Sequence, residues 1–100
     1  MQDYNIERVG QPDLVFNGDL IGQSAGANRV KLYRTKGGKF IAQLSVDAQR
    51  SHAAPFDKPA DLITWLKSNL NSITPEAQVA IEEAAKKDEA FKKFWTERVE

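Results

Sequence analysis

The single histidine of the chain, His52, is the first side chain whose chemistry could support catalysis. A histidine acts as a general base when a carboxylate orients its ring and a hydroxyl lies on its other side. Ser51 is adjacent in sequence, but no nucleophile motif surrounds it and no acidic residue is fixed nearby. Because such a site needs several parts at once, the sequence favours an exposed histidine in a loop over residues 48–56.

Carboxylate pairs are a second source of acid, base or metal chemistry. They are Asp57 with Asp61, Glu82 with Glu83, and Asp88 with Glu89. The first and third pairs stand at predicted helix starts, where the helix dipole favours negative charge. One histidine and no cysteine leave few ligands for zinc. We therefore expect no catalytic residue, no metal site and no cofactor, and a protein that is not an enzyme.

Basic residues around Gly37 and Gly38 form the pattern with the strongest functional content. Between Arg29 and Lys39 the chain carries five basic residues and no acidic one. Basic side chains interleaved with Tyr33 could neutralise phosphates and stack on a base. A solvated sheet face has the same composition, however, and fourteen Lys and Arg balance fourteen Asp and Glu over the chain. Nucleic-acid binders usually carry a basic excess, so the solvated face is favoured.

A β-hairpin positions these residues, because two β-rich runs flank the two glycines. A two-residue loop would mix polar and apolar side chains on both faces of the hairpin. A three-residue loop, Lys36 to Gly38, separates the faces. It predicts a buried face of Val30, Leu32, Phe40, Ala42, Leu44 and Val46. The outer face would carry Arg29, Lys31, Tyr33, Thr35, Lys39, Ile41, Gln43 and Ser45.

The hairpin sequence Leu32-Tyr33-Arg34-Thr35-Lys36-Gly37-Gly38-Lys39-Phe40 resembles a leucine-tyrosine-arginine-threonine-x-glycine-glycine-lysine-aromatic stretch. That stretch occurs in small, functionally uncharacterised bacterial proteins. The preceding segment, residues 16–22, is similar to the segment before the hairpin in the same group. Together these residues cover about a third of the chain. The resemblance supports the fold and implies no activity.

The remaining elements predict an α+β domain spanning residues 1–100. Residues 1–12 are expected to be a loosely ordered lead-in, with room for a short strand. Residues 13–47 are expected to form an antiparallel meander of three or four strands. Asn17-Gly18 there indicates either a hairpin with a tight turn or one strand with a glycine bulge. Two strands, a short one over Leu14–Phe16 and a longer one over Asp19–Ala25, are favoured. Residues 57–100 are expected to form two or three helices on one face of the sheet.

The helix starts carry recognisable signals. Asp57 is expected to cap the first helix and Thr74, followed by proline, the second. Asp88 would fall on the apolar stripe of a continuous helix from Pro75 to Arg98, so a break at Asp88 is preferred. The third helix would then carry three aromatic residues, which could be core or interface. They are Phe91, Phe94 and Trp95.

Composition gives no sign of a membrane protein or a disulfide framework. The chain has 41% hydrophobic and 28% charged residues and lacks cysteine. No apolar run approaches the roughly 20 residues of a membrane-spanning helix, and no signal peptide is recognisable. We expect a cytoplasmic protein that does not bind membranes.

The sequence therefore predicts a small interaction module that binds another macromolecule. A protein is the favoured partner. Compact bacterial or phage-encoded inhibitors and adaptors have this general character, which is an analogy from size. The alternative is a nucleic-acid-binding accessory protein that uses the basic hairpin. A homodimer is a further form the interface could take. Candidate partner-binding residues are Arg29, Lys31, Tyr33, Lys36, Lys39, Ile41, Phe91, Phe94 and Trp95.

Overall fold

The computed structural model describes residues 1–24, 30–45 and 51–96. Five strands precede three helices in the described residues, which is the α+β order expected from the sequence. The strands are β1 (Gln2–Arg8), β2 (Gln11–Gln23), β3 (Val30–Thr35), β4 (Phe40–Ser45) and β5 (Ser51–Phe56). The helices are α1 (Pro59–Leu70), α2 (Pro75–Lys87) and α3 (Glu89–Phe94).

The five strands form a meander that closes on itself as a barrel. Each strand pairs antiparallel with the next one in the chain. Closure is completed by a parallel contact between β1 and β5, in which Arg8 pairs with Ser51. The main-chain N–H of Val9 donates to the carbonyl oxygen of Ser51 at 3.1 Å.

Two segments that were expected to be largely irregular contain strands that complete the barrel. The expected loosely ordered lead-in, residues 1–12, contains β1 and the start of β2. The expected loop over residues 48–56 contains β5 from Ser51 onward. In β1 only Ile6 is fully buried and Tyr4 is half-buried. A strand that buries alternate residues in a narrow barrel shows few apolar positions, so composition alone resembled a loop.

The β2 segment is one strand of 13 residues with an irregularity, so the favoured division into two strands at Asn17-Gly18 was wrong. The register shifts between Leu20 and Gly22, and not at Asn17-Gly18. No turn forms at Asn17 because β1 supplies a pairing partner there: Asp3 lies opposite, and the Asn17 amide donates to its carboxylate at 2.9 Å. Pairing with β1 therefore keeps residues 16–18 in an extended strand in place of a turn.

The central hairpin has the predicted register. Arg34 opposes Phe40, Leu32 opposes Ala42 and Val30 opposes Leu44. The loop contains three residues, and the N–H of Thr35 donates to the carbonyl oxygen of Lys39 at 2.8 Å. Gly38 has φ +87°, a left-handed conformation that glycine adopts without strain.

The barrel separates two apolar cores. The larger core lies between the outside of the barrel and the helices. Its buried residues are Ile21, Val30, Leu32, Phe40, Ala42, Leu44, Leu62, Ile63, Leu66, Ala77, Ala80, Ile81, Ala84 and Phe91. The smaller core fills the barrel interior. It consists of Ile6, Tyr33, Ile41 and Ala53, with Tyr4, Leu14, Phe16 and Leu20 packed against them.

The interior core corrects the expected outer face of the hairpin. Tyr33 and Ile41 are 4% and 2% exposed, because β1, β2 and β5 curve over the face that was expected to meet solvent. Lys31, Gln43 and Ser45 were also expected to be exposed, but they are half-buried. Side-chain alternation was right about which residues share a face. It could not say that both faces would be covered.

The helix boundaries follow two of the three predicted caps. Thr74 caps α2, since its hydroxyl accepts from the Ala77 N–H at 3.1 Å. Asp88 ends α2 and caps α3 by accepting from the Ala90 and Phe91 N–H groups, which confirms the break. The expected cap at Asp57 is wrong. Lys58 occupies the N-cap position of α1 without a side-chain hydrogen bond.

None of the three helices in the described part of the chain has the length and hydropathy needed to cross a membrane.

Gly22 allows α2 to lie directly on β2. A Cβ atom at this position would clash with the main-chain carbonyl oxygen of Ala80. We expect Gly22→Ala to lower the free energy of unfolding by about 1 to 3 kcal/mol or more, because a backbone clash must be relieved by moving the helix. Gly37→Ala is the control, since its Cβ would meet only Thr35 Oγ1 at 3.9 Å. Denaturant unfolding of both variants measures the difference, and equal stabilities would refute the close approach.

Candidate functional site

Arg34, which lies beside the basic hairpin face, is bound within the protein. Its Nη1 group donates to both carboxylate oxygens of Asp88, at 3.0 and 2.7 Å. The guanidinium carbon also lies 4.3 Å from the centroid of the Phe40 ring. The Asp88 side chain is only 10% exposed. A partly buried ion pair with stacking is a structural link between β3 and the α2–α3 corner.

Lys39 also has a carboxylate partner. Its Nζ group lies 2.6 Å from Asp57 Oδ1. The hydrogen bond from Lys39 and its positive charge lower the pKa of the Asp57 carboxyl. Both side chains are largely exposed, so solvent and salt screen the attraction. The pair explains what Asp57 does instead of capping α1: its carboxylate turns toward the hairpin.

The other basic residues of the hairpin do not converge. Lys36 is exposed at the loop, and Lys31 is half-buried on β3. Arg29 lies outside the described residues. Two of the hairpin cations are therefore compensated by carboxylates, and the positive field that could attract phosphates is weaker than the sequence suggested.

A polar network runs through the barrel interior. The Tyr33 hydroxyl donates to Gln43 Oε1 at 2.7 Å, and Gln43 Nε2 donates to Ser51 Oγ at 3.0 Å. The Tyr33 ring lies 4.7 Å from Tyr4 and 5.1 Å from Phe16 between centroids. Burial, with a smaller effect of Tyr4, raises the pKa of Tyr33 to about 12. These groups have partners within the barrel, and Tyr33 and Ile41 have no surface with which to contact a partner protein.

Ser51 and His52 do not form a catalytic pair. Successive residues of a strand point to opposite faces. Ser51 is 5% exposed and hydrogen-bonds with Gln43, whereas His52 is exposed. His52 is thus exposed as expected, but it lies on a strand. The described residues also contain no group of three or more side chains suited to hold a metal ion.

The three terminal aromatic residues have different environments. Phe91 is fully buried, with its ring edge-on to Phe40 at 5.5 Å between centroids. Trp95 is half-buried against the larger core. Phe94 is 44% exposed and is the only aromatic residue among the large exposed hydrophobic residues of the described chain. Phe91 and Trp95 therefore pack in or against the core, whereas Phe94 is exposed.

The structure also forms a cleft that sequence reasoning missed. Arg8, Val9, His52, Trp65 and Asn69 line a space of about 140 Å³ between the β1–β2 turn, β5 and α1. The only local signal was the spacing of Trp65 and Asn69, which places them one turn apart on a helix. Arg8 and His52 are far from them in sequence, so only the closed barrel brings the four side chains together.

Comparison with known proteins gives no relative from which a function could be inferred: the chain matches no family model, no curated protein and no solved structure.

The Arg34–Asp88 ion pair can be separated from the helix cap. Asp88→Asn keeps a good capping residue and removes the charge, whereas Asp88→Ala removes both. In a double-mutant cycle with Arg34→Gln, we expect Asp88→Asn to give a coupling energy of about 1 to 3 kcal/mol. Asp88→Ala should lower the free energy of unfolding by about a further 0.5 to 2 kcal/mol relative to Asp88→Asn, because the helix cap is lost as well. Denaturant unfolding supplies these free energies.

The exposed Lys87–Glu83 pair, at 3.4 Å, is the control for this cycle. Pairs of this kind contribute about 0.3 to 0.5 kcal/mol. A coupling energy for Arg34 and Asp88 as small as that of the control pair would contradict the structural role.

The raised pKa of Tyr33 predicts that the protein loses stability at high pH. In the unfolded chain the tyrosine ionises near its ordinary pKa of 10.0, but in the folded protein it stays neutral up to about 12. Its contribution is therefore complete below pH 10 and is lost as the pH rises from about 10 to 12, with a slope of up to about 1.4 kcal/mol per pH unit. Urea unfolding between pH 8 and pH 12, compared with Tyr33→Phe, isolates this contribution. Parallel curves for the two proteins would refute it.

Proposed function

We propose that this protein is a small non-enzymatic interaction module, of inhibitor or adaptor type, that binds another protein through the end of α3. The observation that carries the proposal is the exposure of Phe94, an aromatic ring at the surface beside the half-buried Trp95. Aromatic side chains are common energetic anchors of protein interfaces, because they bury a large apolar area with little loss of conformational entropy.

The base of α3 is held to the rest of the fold by several contacts, which favours binding. Phe91 inserts into the larger core, Asp88 caps the helix, and Arg34 binds Asp88 from β3. The backbone that carries Phe94 is thus fixed before a partner arrives. An anchor that is already ordered loses less entropy on binding than a flexible one.

The surroundings of Phe94 indicate the chemistry of the partner surface. Lys92 and Lys93 precede it and are exposed. A groove of about 320 Å³ beside α3 is lined by Glu89, Lys92, Lys93 and Thr96. A protein surface with an apolar pocket and a carboxylate-rich rim complements this arrangement, since the ring enters the pocket and the lysines meet the rim.

Nucleic-acid binding by the hairpin is less favoured, because Arg34 and Lys39 already have carboxylate partners. A second copy of the chain is another occupant of the α3 surface. A cytoplasmic protein of bacterial or phage origin remains part of the proposal, and cell fractionation of the native host tests the location.

The test compares Phe94→Ser with Val79→Ser, a matched loss of an apolar side chain that is 41% exposed on α2. Proteins captured from an extract of the native host are identified by mass spectrometry and then purified for binding measurements. We expect Phe94→Ser to weaken binding by at least roughly thirtyfold, as loss of an interface anchor does. Val79→Ser should retain it. The melting curves of both variants should stay close to that of the unmodified protein.

Two results would contradict the proposal. One is equal capture by both variants. The other is tight binding of short DNA or RNA that weakens steeply with salt and is lost on Lys31→Ala and Lys36→Ala, since phosphate contacts release counterions. Sedimentation of the protein alone, with and without Phe94→Ser, identifies self-association through the same surface.

A further inference from the structure

The cleft between the β1–β2 turn, β5 and α1 has the construction of a small binding site. His52 and Ala54 lie on one face of β5 and form the floor. Trp65 and Asn69 form one wall, and the Asn69 amide donates to the carbonyl oxygen of Trp65 at 2.8 Å. Arg8, at the end of β1, also lines this space. Residues of β1, β5 and α1 therefore bring polar and aromatic groups to one space of about 140 Å³.

Arg8 is held in place but has no counter-ion among the described residues. Its Nε donates to the carbonyl oxygen of Pro12 at 2.8 Å, and its Nη1 donates to that of Ala53 at 3.3 Å. The ion pairs of the described chain involve other cations. The second terminal nitrogen, Nη2, has no acceptor among the described residues. A half-buried guanidinium without a carboxylate favours an anion, because partial burial weakens its hydration.

The other lining groups favour an anion that also carries an apolar part. The imidazole of His52, the indole of Trp65 and the amide of Asn69 each have an N–H donor. The described lining contains no Asp or Glu. The Trp65 ring is half-buried and Val9 is 37% exposed, so both offer apolar surface beside the donors. The combination of a planar cation, further N–H donors and an aromatic ring matches a carboxylate attached to a ring or short alkyl group.

We propose that this cleft binds a small organic carboxylate, with its carboxylate group on Arg8 and its apolar group against Trp65. The volume of about 140 Å³ limits the ligand to a single ring or a short alkyl group, since sites for drug-sized molecules have roughly 300 to 1,000 Å³. The carboxylate can belong to a free acid or to the C-terminus of a peptide, and the recognition chemistry is the same. The site is independent of the α3 surface and does not rest on the protein-binding function.

The test is an NMR titration that follows the indole N–H signal of Trp65, assigned with Trp95→Phe because the chain has two tryptophans. The probe is benzoate, and the comparison compound is benzamide, which has the same ring without the charge. We expect a saturable shift with benzoate at roughly millimolar affinity and at least roughly tenfold weaker binding of benzamide. N-acetylphenylalanine and its amide then test a peptide terminus: stronger binding of the free acid than of benzoate identifies that source.

Arg8→Gln should weaken benzoate binding at least roughly tenfold, because it removes the charge-assisted hydrogen bonds. The control is Lys67→Gln, which removes one exposed positive charge from the last turn of α1 and should leave the affinity unchanged. His52→Ala, at an exposed position, should weaken binding several-fold. It provides the decisive variant if Arg8→Gln does not fold, since Arg8 also tethers two main-chain carbonyls.

The proposal is overturned by any of three results. The first is equal binding of benzoate and benzamide. The second is unchanged benzoate affinity in Arg8→Gln or, where that variant is unfolded, in His52→Ala. The third is the absence of a saturable shift at about 50 mM benzoate, a concentration well above the dissociation constant expected for a ligand of this size.

Discussion

Closure of the five-stranded sheet is the constraint on which the rest of the structure depends. The contact between Arg8 and Ser51 joins the first and last strands, so the sheet has an inside as well as an outside. The central strands β3 and β4 then place alternate residues in two different cores. Tyr33 and Ile41 belong to the interior, whereas Leu32 and Phe40 belong to the helix-covered face. In an open sheet one face of this hairpin would be exposed to solvent, whereas in the closed sheet both faces are covered.

The helices cover the outer face of the barrel by two kinds of contact. Gly22 and Ala80 bring the backbones of β2 and α2 close together, which requires the absence of larger side chains. The Arg34–Asp88 ion pair fixes the corner at which α2 ends and α3 begins. Asp88 performs two tasks in that corner, since the same carboxylate caps α3. The orientation of α3, and with it the exposure of Phe94, depends on both contacts.

The two proposed sites follow from this arrangement and lie on different parts of the molecule. The α3 surface presents one exposed aromatic ring, Phe94, and is the site proposed for a protein partner. The cleft at Arg8 encloses a small volume with donors and an aromatic wall, and fits a small anion. In the basic hairpin, Arg34 and Lys39 already have carboxylate partners within the protein, and only the Arg34 pair is partly buried.

The sequence by itself determined the features that depend on residues close together in the chain. The hairpin register follows from the alternation of side chains around Gly37 and Gly38, and the break between α2 and α3 follows from the capping capacity of Asp88. Both are local, because a slipped register or an uncapped helix costs free energy within a few residues.

Tertiary structure alone decided that the second face of the hairpin is also buried and which distant residues meet. Side-chain alternation correctly placed Tyr33 and Ile41 on the same face of the hairpin. Their burial, however, depends on β1 and β5, which composition did not distinguish from loops. Asp57 had the sequence context of a helix cap and forms an ion pair with Lys39 instead. The cleft joins Arg8, His52 and Trp65 across more than half of the chain. No local pattern encodes such contacts, because they exist only once the sheet has closed and α1 has packed against it.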